Sequence, residues 1–168
     1  MIKYVSGDIL NSTADTIAHG VAPNDDFKQG LALSLREQWP SLYKDFRHYC
    51  KTTHPKEGGL WFWKGAEGPA VVSLLTQEHP PSQSMHPGKA TLPYVRHSLK
   101  ELRKEAEKQG FKSIALPKIA TGVGGLEWDD VKPLIEENFS DSAIPVYVYE
   151  CYEKGATAER PKSCKLKS

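Results

Sequence analysis

Apolar positions along this chain recur with two periods, and the periods separate strands from helices. Ile2 to Val5 is a short β-prone run closed by Ser6-Gly7-Asp8, Ala14 to His19 is a second, and the residues between them are turn-rich. Leu31, Ala32, Leu35 and Trp39 stand at helical spacing until Pro40 interrupts, and Ser41 can cap a further helix through Phe46 and Tyr49. Leu60 to Trp63 is aromatic strand sequence, Gly65 to Pro69 has turn composition, and Ala70 to Thr76 is an apolar, β-branched run. Together they predict a hairpin leading into a buried strand. Leu92, Val95, Leu99 and Leu102 share one helical face, with charges opposite and Gly110 placed to stop the helix. Ser113 to Leu116 then predicts a strand, Asp129 to Asn138 a helix, and Pro145 to Tyr149 a last strand.

Strands alternating with helices predict an α/β fold of three layers, a mixed central sheet with helices on both faces. One folded unit over 1–154 is expected, followed by a small, basic, non-periodic and flexible tail over 155–168. The loop from Gln77 to Lys89, rich in proline, histidine and polar residues, is long enough to be functional. In such sheets ligands bind at the carboxyl ends of the strands.

Composition narrows the partners. The 168 residues carry 26% charged side chains and a net charge of +1, so no global field favours nucleic acid or a membrane. Basic residues are scattered, with enrichment only from Arg160 to Lys167, which gives no strong nucleic-acid signal. Cys50, Cys151 and Cys164 are widely spaced and match no zinc or Cys-x-x-Cys pattern, which predicts free thiols, a reducing compartment and no metal. His79 and His86 lack cysteine partners at ligand spacing and read as surface histidines. No stretch approaches the roughly 18 apolar residues of a membrane span, and no leader pattern opens the chain, so a cytoplasmic location is expected.

Chemistry concentrates in three segments that follow strands. Leu116 to Trp128 reads as strand, glycine loop and helix start, a composition that lets backbone N–H groups approach an anion closely; the alternative is a tight turn only. Asp8, at the first strand's end, can accept a hydrogen bond from the exocyclic amine of an adenine, or can simply cap the next turn. His19 through Gly30 follows the second strand. Together they describe a nucleotide pocket.

Gly7-Asp8-Ile9-Leu10, the loop and helix start from His19 to Ala32, and Pro117 through Trp128 resemble the macrodomain, the ADP-ribose-binding α/β/α module, over roughly residues 1 to 152. The last of these segments is similar to the branch of terminal ADP-ribose glycohydrolases, DNA-ADP-ribose hydrolase antitoxins and yeast-type ADP-ribose 1''-phosphate phosphatases. The resemblance implies that Asp8 binds the adenine amine and Ile9 lines the adenine pocket, with Tyr149 stacking on the base unless it packs in the core. It implies that Asn24, Lys28, Gly30 and Leu31 surround the distal ribose and that Thr76 lies at the ligand. Ile119, Ala120, Thr121, Gly122, Val123, Gly124 and Gly125 would hold the diphosphate.

Departures from the family pattern bear on mechanism. Gln77 stands where deglycosylating relatives carry a covalently acting lysine, and an amide cannot form a Schiff base. Their acidic residue in the glycine loop is replaced by Gly124 or Gly125, and Lys89 lies later in the same long loop. Lys28 would bring a cation toward the distal ribose, suited to a terminal phosphate. His19 stands at a position that resembles that of the histidine of the yeast-type phosphatases, which implies a general acid/base expected to titrate near neutrality, with Asn24 as a second catalytic candidate. Asp25, Asp26, Glu127 and Asp129 are candidates to orient the attacking water. The expected activity is hydrolysis of ADP-ribose 1''-phosphate without a cofactor. The alternatives are removal of ADP-ribose from modified macromolecules, and non-catalytic binding of ADP-ribose.

Overall fold

In the structure, a computed structural model, residues 1–81 and 87–156 are described. Six strands form one sheet in the order β1-β6-β5-β2-β4-β3, where β1 is Ile2–Gly7, β2 Thr16–Val21, β3 Leu60–Trp63, β4 Ala70–Leu75, β5 Ile114–Pro117 and β6 Val146–Tyr152. All neighbours are parallel except β3, which pairs antiparallel with β4 as the predicted hairpin. The sheet is therefore mixed. The central strands are short and almost wholly apolar because helices cover both of their faces.

Strand alternation divides the core. Ala18, Val72, Leu74, Ile114, Leu116, Val146 and Val148 point to one face, against α3 (Leu92–Gln109) and α4 (Trp128–Phe139). Val21, Val71 and Leu75 point to the other, against α1 (Gly30–Gln38) and α2 (Pro40–Thr53). Val95, Leu99, Leu102 and Ala106 form a buried stripe on α3, at about 1.5–3 kcal/mol for each fully buried Val or Leu.

Local stops follow the residue chemistry. Thr91 caps α3 by accepting from the Tyr94 N–H, and Gly110 ends it in the left-handed conformation at φ 70°. Pro40 does not merely interrupt: it begins α2, where its missing N–H costs nothing, and Trp39 rather than Ser41 is the cap position. Strands β1, β2 and β6 run two or three residues past their predicted ends, because parallel neighbours hold polar residues such as Ser6, Gly20 and Cys151 in register where sequence hydropathy had run out.

Gly155 and Ala156, expected to open the tail, are hydrogen-bonded to Asp8: the Gly155 N–H donates to Asp8 Oδ2 at 2.9 Å and the Asp8 N–H donates to the Ala156 carbonyl at 3.0 Å. The remainder of that segment, 157–168, lies outside the described residues, as does His86. The free-thiol expectation holds for buried Cys50 and fails for Cys151, which is disulfide-bonded. Spacing along the chain carried no information on which cysteines meet. Among the described residues, no helix is long and apolar enough to cross a membrane.

Candidate functional site

The loops leaving β2, β4 and β5 meet over the carboxyl edge of the sheet and enclose a cleft of about 170 Å³. One wall is Asp25, Asp26 and the stretch from Gln29 into α1, and the opposite wall is Pro117 to Ala120 with Gly122 to Gly124, while Thr121 and Gly125 lie outside the lining; His19, Gly20 and Gln77 contribute between them. The two glycine-containing loops thus lie side by side, as their positions after strands predict.

The loop after β5 is closed by its own backbone. The Gly125 N–H donates to the Gly122 carbonyl and the Leu126 N–H to the Ala120 carbonyl, each at 3.0 Å, and the Thr121 hydroxyl donates to the Lys118 carbonyl at 2.7 Å. Ala120 takes a left-handed conformation at φ 63°, which costs a residue with a Cβ about 1–3 kcal/mol. Gly124 packs so tightly that a Cβ there would stand 2.6 Å from the Ala120 carbonyl oxygen and 2.9 Å from Ala90 Cβ. Gly122 instead faces open space, and Gly122, Val123 and Gly124 line the cleft.

His19 lies on β2 opposite Ser73 of β4, with its ring at the back of the cleft. Nε2 is 2.8 Å from Ser73 Oγ, the ring meets Phe27 edge-on at 5.5 Å, and Nδ1 is buried with no partner. Only 2% of the residue is exposed. Desolvation pushes the imidazole down to about 3, so the expectation of titration near neutrality is corrected: His19 is neutral in the folded protein. Asp25 moves the other way. Burial raises its carboxyl above the ordinary range, against the lowering effect of N–H donors from Phe27 at 2.9 Å and Ala22 at 3.1 Å.

The remaining candidates separate in space. Gly30, Leu31, Ile119, Ala120, Gly122, Val123 and Gly124 line the cleft. Asn24 and Lys28 line a neighbouring cleft of about 650 Å³, reached past Asp25 and Asp26, which line both. Asp8 is 7% exposed and acts as the turn cap, with Oδ1 accepting from the Leu10 N–H at 3.0 Å while Oδ2 takes Gly155. Tyr149 packs in the core with Ile9, Ala14, Ile17 and Ala115. Its ring therefore does not offer a free face to a base. Thr76 is fully buried with an unpartnered hydroxyl lying under Gly20, where a Cβ would stand 2.8 Å from it. Of the four acidic candidates, Asp25 and Asp26 line the cleft and Glu127 and Asp129 do not.

Gln77 is buried at the wall, its Nε2 donating to the Gly88 carbonyl at 3.1 Å and its strand-like bridge to Ala90 pinning the long loop back onto the sheet. Lys89 is exposed, its side chain passing 3.9 Å from where a Gly125 Cβ would be. Lys118, which carried no assigned role from sequence, lines the cleft. Ser73 was also missed, since only the β2–β4 register reveals it as the partner of His19. Glu57, Glu78 and His79 place one ligand atom each within 4.8 Å of the others, with His79 exposed and its Nδ1 3.6 Å from Glu57 Oε2.

A six-stranded mixed sheet between helix layers, with two strand-end loops walling a cleft at its carboxyl edge, defines an α/β/α ligand-binding module. The chain belongs to the Macro domain family, whose model matches residues 27–135. It is 27% identical over 157 residues to the DNA ADP-ribosyl glycohydrolase of Thermus aquaticus, covering 91% of this chain and 42% of that one. It is 22% identical over 156 residues to the ADP-ribose 1''-phosphate phosphatase of Candida albicans, covering 88% and 99% respectively. The solved macrodomain of Thermus aquaticus DarG superposes with a TM-score of 0.79 at 25% identity over 89% of this chain and 98% of that one. The chain thus spans less than half the length of the curated relatives it matches first.

Proposed function

We propose that the cleft binds the diphosphate and distal ribose of ADP-ribose, and that the protein is a hydrolase releasing phosphate from ADP-ribose 1''-phosphate. The observation that carries this reading is the composition of the lining: the buried amide of Gln77 and the carboxylate of Asp25 line the same cleft, so the groups on hand suit activation of water better than covalent capture of a sugar. The hydrolase class is supported by relatives named as phosphatase and glycohydrolase. A volume of about 170 Å³ is below the roughly 300–1,000 Å³ of sites that enclose a whole small molecule. The adenine end therefore extends outside the cleft, toward Asp8 and Ile9.

In this reading the turn from Ala120 to Gly125 cradles the diphosphate, and Asp25 orients and deprotonates the water that attacks phosphorus. The bond between phosphorus and the anomeric oxygen breaks, and that oxygen leaves as the 1''-hydroxyl of ADP-ribose after taking up a proton. His19 enters as a neutral imidazole, and a phosphate dianion beside it raises its basicity toward a working range. The unpartnered Nδ1 of His19 and hydroxyl of Thr76 are groups that a bound ligand or its water would satisfy.

Phosphate release from ADP-ribose 1''-phosphate tests the proposal. Asp25→Asn and His19→Ala are each expected to lower kcat about 10²–10⁴-fold while ADP-ribose binding by calorimetry changes little. A wild-type protein that binds ADP-ribose and releases no phosphate overturns the phosphatase and leaves a reader. Removal of ADP-ribose from modified protein or nucleic acid is the second reading, favoured by a lysine, Lys118, among the residues that line the cleft. Reductive trapping of a covalent adduct on Lys118 would select it.

A further inference from the structure

The chain from Glu153 to Ala156 turns back from β6 onto the loop that leaves β1. These two strands run parallel with Gly7 opposite Tyr152, so Asp8 and Glu153 leave the sheet side by side. The Glu153 N–H donates to the Gly7 carbonyl at 2.9 Å, the Ala156 N–H to the Glu153 carbonyl at 3.1 Å, and the Asp8 N–H to the Ala156 carbonyl at 3.0 Å. The Gly155 N–H completes the contact at Asp8 Oδ2, 2.9 Å away. Residues Glu153 to Ala156 thus form a β-turn whose third residue, Gly155, stands at φ 75°, a conformation that favours glycine.

The turn closes against Asp8. That residue is 7% exposed, its Oδ1 accepts from the Leu10 N–H, and its Oδ2 and backbone N–H are both bonded to the turn. Ile9 beside it is 3% exposed. A carboxylate oxygen has a second lone pair, so valence does not exclude a further donor. Cover does, because a flat ring cannot lie against a side chain with so little of its surface open. What holds the turn is weak. Tyr152, Glu153, Lys154 and Gly155 are exposed and Ala156 is half-buried, so closing the turn buries no large apolar side chain. A segment held by a few hydrogen bonds, without apolar burial, belongs to the parts of a fold that open locally.

We propose that the turn Glu153–Ala156 is an autoinhibitory strap at the adenine end of the cleft, closed in the free protein and displaced when ADP-ribose binds. The inference rests on the placing of adenine at Asp8 and Ile9 under the proposed function, and adds the step that opens this place to a base. Gly155 gives up Asp8 Oδ2, and the exocyclic amine of the adenine takes its place as donor. One N–H is exchanged for another at the same oxygen, so Asp8 keeps its hydrogen bonds while cover by protein becomes cover by ligand. A ligand that binds only the open form loses apparent affinity in proportion to the open fraction. A closed form about ten times more populated than the open one weakens binding about tenfold, or about 1.4 kcal/mol.

Titration calorimetry with ADP-ribose on the full chain tests the strap. Gly155→Pro removes the N–H that Asp8 Oδ2 accepts and cannot take up φ 75°. It is expected to bind about tenfold more tightly than wild type, and to show the same gain with adenosine monophosphate, which carries the adenine and no distal ribose. Gly155→Ala keeps the N–H and strains only the backbone, so its gain should be smaller. Equal or weaker binding by Gly155→Pro overturns the strap, the weaker case making the turn a fixed wall of the adenine site. Amide hydrogen exchange on the wild type gives a reading that needs no variant: ADP-ribose should speed exchange at Gly155, whose N–H the closed strap pairs with Asp8, and slower exchange there overturns the proposal. Failure of the underlying reading looks different. Neither wild type nor variant would then bind ADP-ribose, whereas a strap that fails alone leaves wild-type binding intact.

Discussion

Gly124→Ala and Gly122→Ala differ by a single methyl placed two residues apart in the same loop, and the structure assigns them different outcomes. At Gly124 the new Cβ would stand 2.6 Å from the Ala120 carbonyl oxygen, so roughly 0.8 Å must open to restore ordinary contact. Neither neighbour can yield easily. The Ala120 oxygen accepts from the Leu126 N–H and belongs to a residue already at φ 63°, and Ala90, whose N–H donates to the Gly124 carbonyl, is 5% exposed and packed against α3. Overpacking of this kind costs about 1–3 kcal/mol. For a chain of this size that corresponds to a fall in Tm of about 2–12 °C. Because the strain moves the loop itself, ADP-ribose affinity should fall at least tenfold as well, about 1.4 kcal/mol. Gly122→Ala meets nothing within 4 Å and needs no unusual φ, so its stability should stay within about 0.5 kcal/mol of wild type. Its methyl nevertheless enters the cleft wall, and affinity should fall without a change in stability. Differential scanning calorimetry and titration calorimetry on the two variants separate these outcomes. Gly124→Ala with wild-type Tm, or equal destabilisation by both variants, would refute the packing argument.

Burial of His19 makes stability depend on pH with a definite sign. Its folded pKa of about 3 lies below the ordinary 6.5, so the unfolded chain takes up a proton first, and stability present at neutral pH is lost as pH falls from 6.5 toward 3, by up to about 1.4 kcal/mol per unit. Asp25 acts in the opposite sense, its ionisation weakening the fold as pH rises above 3.8. Comparing wild type with His19→Gln between about pH 5 and 7 isolates the imidazole, and parallel curves would overturn the assignment. Asp8→Ala removes the acceptor of both Leu10 and Gly155, at about 1–3 kcal/mol by urea unfolding, and should weaken ADP-ribose binding; unchanged affinity would count against placing the adenine there. Gly20→Ala would set a Cβ 2.8 Å from the Thr76 hydroxyl under the cleft, and an unchanged Tm would show that Thr76 can turn away.

The local order of this fold was legible because it follows from periodicity. The α3 stripe, the stop at Gly110, the hairpin of β3 with β4 and the glycine loop after β5 each depend on residues within a few positions of one another, where spacing alone decides which side chains share a face. Family resemblance added the expected ligand and pointed to loops that the fold does bring together around the cleft. What sequence could not supply was distance between segments far apart in the chain. Asp8 and Gly155 are 147 positions apart, and their hydrogen bond adds a partner to Asp8 that neither the reading as a turn cap nor the reading as an adenine acceptor contained. His19 has the composition of a titrating catalyst, but titration is set by solvent, and Phe27, Ser73 and the sheet exclude solvent from it. Tyr149 was open to either a ligand or a core role until Ile9, Ala14, Ile17 and Ala115 packed against it on the face of the sheet. Lys28, Arg36, Arg47 and Lys51 disappear into an unremarkable net charge when summed along the chain, and meet in one cleft, beside Asp25 and Asp26, only when three elements converge. Periodicity is a local quantity and fixed the elements; burial, pKa and electrostatic clustering depend on neighbours in space, and those were decided by the order of the strands.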